Sequence, residues 1–381
     1  MARVRDLWED PARRERAKAN PGRAKRWLAV WIGPDGREHT KAFARRTDAD
    51  RHSVAMEADR HRGVYVDQRA GRIRLTDYAT TRWLPAQVHL RSNSTETYDR
   101  HLRNHILPAL GERPIGSLGR SDMKAFVTAI SGKLSASTVH TVFAVLRSLM
   151  QSAVDDQVIG VNPCSRVPLP RVTAHAVEPL PAEALLALCE AITERYRLAV
   201  VLGFGLGLRE GEALGLTVPQ VDFLRRRVLV REQAQNGELV ELKTAASRRT
   251  VPADDWVLAE ITKHMQRDGY REGPGGVLVT NRSWKIAQRS SFGHCWREAV
   301  DRAGLPAGTR FHDLRHTYAS ALIRANVNPK AVQTRLGHAT ITETMDTYGH
   351  LFPDDADLGR GAVEALLAIR PAEQRRNSGG A

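Results

Sequence analysis

Phe311-His312-Asp313-Leu314-Arg315-His316-Thr317, followed by Leu336-Gly337-His338 and Tyr348-Gly349-His350, places an arginine, several histidines and a tyrosine in the last fifth of the chain. Residues three apart on a helix share a face, so His312 and Arg315 can address one anion. A guanidinium makes a two-pronged contact with phosphate that lysine cannot copy. Taken alone, the pair fits a salt bridge at a helix end equally well. His312 and His316 also stand at i and i+4, a zinc-site spacing. Asp313 occupies the place of the usual glutamate, Arg315 sits where a cation would go, and no cysteine is adjacent, so the metal reading is the weaker one. Tyr348 is one of seven tyrosines and by itself reads as packing. Its setting between His338 and His350, in a polar stretch that needs no aromatic anchor, argues for chemistry instead.

Upstream, Gly203-Phe204-Gly205-Leu206-Gly207-Leu208-Arg209-Glu210-Gly211-Glu212 does not fit the dinucleotide fingerprint, and the segment before it reads as helix rather than strand. The pattern predicts a glycine-rich turn that opens a new helix with Arg209 near its N-terminus, where backbone N–H groups favour phosphate. Lys243 closes a hairpin predicted around Asn236-Gly237. Lysine is scarce, 9 residues against 48 arginines, so its use there is informative. A hairpin lysine is usually just solvated, but in a phosphoryl site it can protonate a departing oxygen, which arginine does poorly.

The net charge is +14 and the pI about 10.2, which points to a polyanionic partner. Residues 1–72 carry 18 Lys and Arg against 11 Asp and Glu, half of that excess. No basic amphipathic helix at either end suggests a membrane surface, and no apolar run is long enough to span one. Cys164, Cys189 and Cys295 are scattered and odd in number. They argue against a disulfide framework or a zinc module and for a reducing cytoplasm.

The 381 residues suit two or three domains. Residues 1–25 read as a charged tail or arm, with Arg13, Arg14, Arg16, Lys18, Arg23 and Lys25 clustered. Strands are expected over 27–32 and 40–44, separated by a turn at 33–36, and a helix over 47–68, with Trp27 and Trp31 on one strand face. From Leu75 to Arg171 the pattern is helical, predicting a compact four-helix domain. Ser121-Asp122 and Ser135 look like helix starts, and Val139, Val142, Phe143, Leu146, Leu149 and Met150 form one apolar stripe stopped by Gly160 and Pro163. An extended linker runs from Pro168 to Pro181. Beyond it, a single long helix is expected over 184–202, two strand runs over 227–240, a third strand over 248–251, and helices thereafter. The end, 375–381, reads as disordered.

Arg, Lys, His-x-x-Arg, His and Tyr in that succession resemble the tyrosine recombinase (phage integrase) family over roughly residues 75–370. Gly207-Leu208-Arg209-x-x-Glu212 resembles its first arginine box. Lys243 followed by Ser247-Arg248-Arg249-Thr250-Val251-Pro252 resembles its hairpin lysine segment. His312-x-x-Arg315-His316 and Leu336-Gly337-His338 resemble its second box, and Tyr348 its nucleophile.

The resemblance implies a multidomain, mainly α fold with small β-sheets. Its parts are an arm-type DNA-binding module at 1–72, a helical core-binding (SAM-like) domain at 73–171, a mixed α+β catalytic domain at 175–370, and a tail at 371–381. It implies cutting and rejoining of DNA through a 3′-phosphotyrosine, to integrate or excise a mobile element such as a prophage or a conjugative element. Arg209 and Arg315 would hold the scissile phosphate, with Glu212 in support. Lys243 would protonate the leaving 5′-oxygen, His312 would take the tyrosine proton or assist it, and His338 would hydrogen-bond the phosphate. No metal or other cofactor is implied. The implied partners are double-stranded attachment sites and a homotetramer on DNA, with an excisionase and a host DNA-bending protein. Val363, Leu366 and Leu367 read either as a stripe for a neighbouring subunit or as an intramolecular helix. The rival readings are a type IB topoisomerase that swivels one strand, a non-catalytic DNA-binding protein, and a zinc hydrolase.

Overall fold

The computed structural model describes residues 3–19, 25–32, 36, 38–61, 70–88, 92–172, 177–242 and 244–352. Lys243, most of the expected turn at 33–36, the expected helix beyond His61, and the C-terminal stripe and tail lie outside the described residues. The chain divides into two compact units, Met1–Ala174 and His175–Ala381.

The first unit opens with an antiparallel sheet in the order β1-β2-β3, made by Arg3–Asp6, Trp27–Ile32 and Glu38–Phe43. Strand alternation turns Ala29 and Trp31 inward against Ala49 of α2 (Arg46–His61), and Trp27, Val4, Phe43 and Met56 pack on this small core. Residues 1–25 were expected as an arm, but the structure differs there. Arg3–Asp6 completes the sheet by pairing with β2, and Pro11–Ala19 forms helix α1. Asp6 fixes the exit from β1 by accepting the Trp8 N–H at 2.9 Å and the Arg26 guanidinium, which lies over the rings of Trp8 and Trp27.

Four helical segments with a separate core follow. The first, α3 (Leu75–Tyr78), runs on through a π turn at Ala79–Trp83. The second joins α4 (Ser92–His101) to α5 (Leu107–Leu110) through another π turn at Leu102–Ile106. Both widened turns close on the residue before a proline: Leu84 N–H reaches Ala79 O, and Leu107 N–H reaches Leu102 O. A proline lacks the next donor and crowds the turn behind it, so the wider turn relieves both. Helix α6 (Arg120–Ser131) starts one residue before the expected cap. Gly119 is its N-cap, and Asp122 accepts the Gly119 N–H at 2.8 Å. Helix α7 (Ala136–Asp155) begins at Ser135 as expected and buries the whole predicted stripe. It ends at Asp155, before Gly160, because Gln157 turns left-handed (φ 58°) and the Val158 N–H folds back to Ala153 O.

In the second unit the single helix expected over 184–202 is two, α8 (Ala182–Ala191) and α9 (Glu194–Leu206). The β-branched pair Ile192 and Thr193 is extended at the break, which drives Ile192 into the core. After α10 (Glu210–Leu214), the expected two strand runs are three. Val221–Asp222 (β4), Arg227–Val230 (β5) and Arg249–Pro252 (β8) form one antiparallel sheet, while Glu232–Gln235 (β6) and Glu238–Glu241 (β7) form the hairpin at Asn236-Gly237. Helices α11 (Asp255–Gln266), α12 (Arg289–Arg302), α13 (Phe311–Arg324), α14 (Pro329–Leu336) and α15 (Ile341–Tyr348) complete the described residues of the unit. Helix α13 crosses α9 closely at Gly203, where a Cβ would come within 2.7 Å of Leu314. That crossing sets the second histidine–arginine box beside the first.

Leu146 is fully buried in the core under α7. Leu146→Ala is expected to cost about 2–5 kcal/mol, read as a lower denaturant midpoint. An unchanged midpoint contradicts this packing.

Candidate active site

Helix α14 begins with Asn328 accepting the Ala331 N–H at 2.8 Å and Pro329 in the first turn, where a missing N–H costs nothing. It ends at Gly337 in the left-handed conformation, φ 68°. A Cβ at Gly337 would lie 3.0 Å from Ala246 O and 3.0 Å from Arg249 Cδ, so both backbone and space require glycine. The last carbonyls of a helix have no intrahelical partner. Here three guanidinium groups from three other elements take them. Arg249 Nε donates to Arg335 O at 2.7 Å, Arg315 Nη2 to Leu336 O, and Arg209 Nη2 to Gly337 O at 3.4 Å. The negative end of the helix dipole faces the same three cations.

Glu212 ties two of these arginines together. Its carboxylate accepts Arg249 Nη1 at 3.0 Å and Nη2 at 2.8 Å, Arg209 Nη1 at 3.0 Å, and the Arg209 backbone N–H at 2.9 Å. The Arg249–Glu212 pair is almost fully buried, at 2% and 1% side-chain exposure. Burial alone would raise the Glu212 carboxyl, but the Arg249 hydrogen bonds and the charges of Arg249, Arg209 and Arg315 outweigh it and hold the carboxyl at about 2. Arg209 stands where the sequence put it. Gly207 ends α9 with φ 63°, and Arg209 is the N-cap of α10.

Arg315 is fully buried on α13 and also donates to Gly207 O at 2.8 Å. Among the described residues its Nε has no partner. Burial, then the charges of Arg209 and Arg249, pulls this guanidinium below its ordinary value while leaving it protonated at neutral pH. Burial, then the neighbouring His316 and the charges of Arg315 and Arg209, holds His312 at about 4, and burial with the charges of Arg315 and Arg209 holds His338 at about 3, so both rings are neutral. Tyr348 is 1% exposed, and burial pushes its hydroxyl up to about 12 against the pull of Arg315 and Arg209. Burial leads each of these shifts, and the guanidinium groups beside it leave the pocket rich in positive charge, which a bound anion would relieve.

His338 Nδ1 lies 2.9 Å from Thr344 Oγ1, which ties the ring to the tyrosine helix α15, and its plane is nearly parallel to the Tyr348 ring. Arg209, His312, Arg315, His338 and Tyr348 therefore belong to one cluster, while Lys243 lies outside the described residues. The ring that meets the Tyr348 hydroxyl differs from expectation. It is His316, whose Nδ1 is 2.8 Å away; His312 instead stands edge-on to His316, with centroids 4.7 Å apart. One turn of helix separates the two histidines, and the turn nearer to α15 is the later one.

Sequence reasoning gave no role to Arg249 or His316. A signal existed for each. Arg249 and Val251 alternate inward on β8 while Thr250 and Pro252 face out, so an arginine at an inward position implied a buried partner. His316 shares the helix face of His312, and a tyrosine that serves one could serve the other.

The phage integrase family model matches residues 177–354. The chain is similar to the integrase of Mycobacterium phage L5, 30% identical over 278 residues that cover 71% of this chain and 74% of that one. It is also similar to the integrase of Mycobacterium phage D29, 29% identical, covering 79% and 81%. With tyrosine recombinase XerD of Mycobacterium tuberculosis (strain H37Rv) it shares 26% identity, covering 67% and 86%. Its fold is similar to that of the Tn1549 transposon integrase in complex with transposon right end DNA, with TM-score 0.65, 24% identity and 77% and 100% coverage. It is likewise similar to a lambda integrase tetramer bound to a Holliday junction, with TM-score 0.57, 16% identity and 86% and 93% coverage.

Arg249→Ala leaves the Glu212 carboxylate buried with half its partners, and is expected to destabilise the fold by about 3–5 kcal/mol in denaturant melts. Because the Glu212 carboxyl sits at about 2 instead of 4.5, its stabilisation is complete above pH 4.5 and is lost as pH falls through about 2. Glu212→Gln should therefore melt earlier than wild type near neutral pH, with the gap closing across that acid window.

Proposed function

Since the chain belongs to the phage integrase family of tyrosine recombinases, the site-specific recombinases that break and rejoin DNA strands, we propose that it integrates and excises a mobile element through a phosphotyrosine bond formed by Tyr348. The observation that carries this reading is the buried, positively charged cluster with a tyrosine hydroxyl at its edge. Attack of the Tyr348 oxygen on a scissile phosphate leaves a 3′-phosphotyrosine and a free 5′-hydroxyl. Arg209 and the open Nε of Arg315 hold the non-bridging oxygens and offset the charge that grows in the transition state. Their own anchors (the α14 carbonyls and Glu212) mean that little reorganisation accompanies the step. His338, neutral and held by Thr344, offers its other nitrogen to the phosphate, and His312 lines the same wall. Lys243 supplies the proton to the departing 5′-oxygen. The diester energy is conserved in the covalent link, so neither a nucleotide nor a metal enters the scheme.

Phage integrases among the relatives, and the transposon integrase among the similar folds, support a mobile element over strand swivelling alone. Duplex attachment sites and a homotetramer on DNA complete the proposal, since strand exchange between two duplexes requires four cleavages. An excisionase and a host DNA-bending protein are its further expected partners. The protein acts in the cytoplasm on this reading, and no described helix is long and apolar enough to cross a membrane.

The test is covalent trapping on nicked duplexes that tile the DNA on either side of the coding sequence, in EDTA, read on denaturing gels. Wild type should give an adduct, Tyr348→Phe none, and Arg209→Ala or Arg315→Ala about 10²–10³-fold less per unit time. An adduct that survives in Tyr348→Phe removes the tyrosine from its role. Binding on native gels without any adduct favours a non-catalytic DNA-binding protein.

A further inference from the structure

Tyr348 poses a problem that the phosphate-binding groups do not solve. A phenol with an ordinary pKa near 10 must lose its proton as it attacks, and burial in this pocket makes ionisation harder. Arg209 and Arg315 are permanent donors and cannot accept that proton. His338 directs its Nδ1 to Thr344, and its ring lies nearly parallel to that of Tyr348, with 6.4 Å between centroids. No hydrogen bond joins His312 to Tyr348 among the described residues. His316 alone among these rings touches the hydroxyl.

We propose that His316 is a catalytic residue of the cleavage step, its Nδ1 accepting the hydroxyl proton of Tyr348 while the phenolic oxygen attacks phosphorus. The proposal rests on Tyr348 being the nucleophile. The 2.8 Å contact needs no rearrangement, and the rings meet at 64°, which lets the hydroxyl point at the edge of the imidazole. His316 follows Arg315 directly on α13, so the base and the buried phosphate-binding arginine ride on one rigid element. Burial outweighs the opposing charge of Asp313 and, with the charges of Arg315 and Arg310, lowers the ring below its ordinary value and leaves it ready to accept; Asp313 is the group that would steady the imidazolium once formed. The step balances. The Tyr348 O–H bond breaks as the O–P bond forms, the proton passes to His316 Nδ1, and the P–O5′ bond breaks with its oxygen protonated by the separate donor. On religation the imidazolium returns its proton to the leaving phenolate, so one ring serves both directions.

The test separates accepting a proton from merely holding the ring. An asparagine amide oxygen at position 316 can still accept the Tyr348 hydrogen bond but cannot take its proton. On the fragment that traps wild type, and with native-gel binding retained, His316→Asn should form adduct about 10²-fold more slowly or worse. His316→Ala should be equally slow and should recover in part with imidazole in the buffer. Adduct formation by His316→Asn at the wild-type rate overturns the proposal and leaves only positioning. Loss of the adduct in Tyr348→Phe, set against its presence in wild type, keeps the nucleophile reading independent of that result. A wild type that never forms adduct sinks both. Should the variants fold poorly, nitrogen NMR of the ¹⁵N-histidine-labelled wild-type chain decides instead. The expected tautomer has Nε2 protonated and Nδ1 bare, and a protonated Nδ1 overturns the proposal.

Discussion

Three arginines compete for the carbonyl end of one short helix, and the rest of the second unit is arranged so that all three can reach it. Arg209 comes from the start of α10, Arg249 from β8 and Arg315 from α13. Each gives a hydrogen bond to consecutive carbonyls at the end of α14, and Glu212 locks Arg209 and Arg249 together from the other side. Like charges packed this closely repel, so the cluster survives only because each guanidinium is held by fixed dipoles and two of the three also by one buried carboxylate. That is also why removing a single member is expected to cost more than its visible hydrogen bonds. The remaining group is left charged and buried with only part of its partners.

The same crowding defines what the site is for. With the side-chain carboxylate already used, the cluster retains excess positive charge, which adds to burial in lowering His312, His316 and His338. On the proposed reading, a phosphate diester would supply the missing negative charge. Preorganisation of this kind stabilises a transition state more than a ground state, because charge grows on oxygens that already face donors. The glycines around the cluster serve that geometry. Gly207 and Gly337 are both left-handed, and each yields a carbonyl to an arginine while allowing another side chain to pass where a Cβ would stand.

Much of this was legible in the chain. The order Arg209, Lys243, His312, Arg315, His338 and Tyr348 identified the family, because the chemistry needs those groups and their spacing follows from the elements that carry them. The α7 stripe, the Asn236-Gly237 hairpin and the Gly207 turn were equally plain, since each depends on local periodicity or on one residue's backbone freedom. The misjudged boundaries fall where tertiary contacts override local pattern. Ile192 leaves a helical run to enter the core, Arg231 separates two strands that join different sheets, and Arg3–Asp6 becomes an edge strand only because β2 offers it a partner.

What the sequence by itself determined is the set of candidate reactive groups and most of the elements that carry them, for those follow from residue type and short-range spacing. What only the tertiary structure decided is which groups meet. Arg249, more than thirty residues from Glu212, becomes its closest ion partner, and His316 in place of His312 faces the tyrosine hydroxyl. Residues on one helical face are indistinguishable by spacing. The choice between them depends on where α15 packs against α13, a contact set by the cores of the unit rather than by any motif.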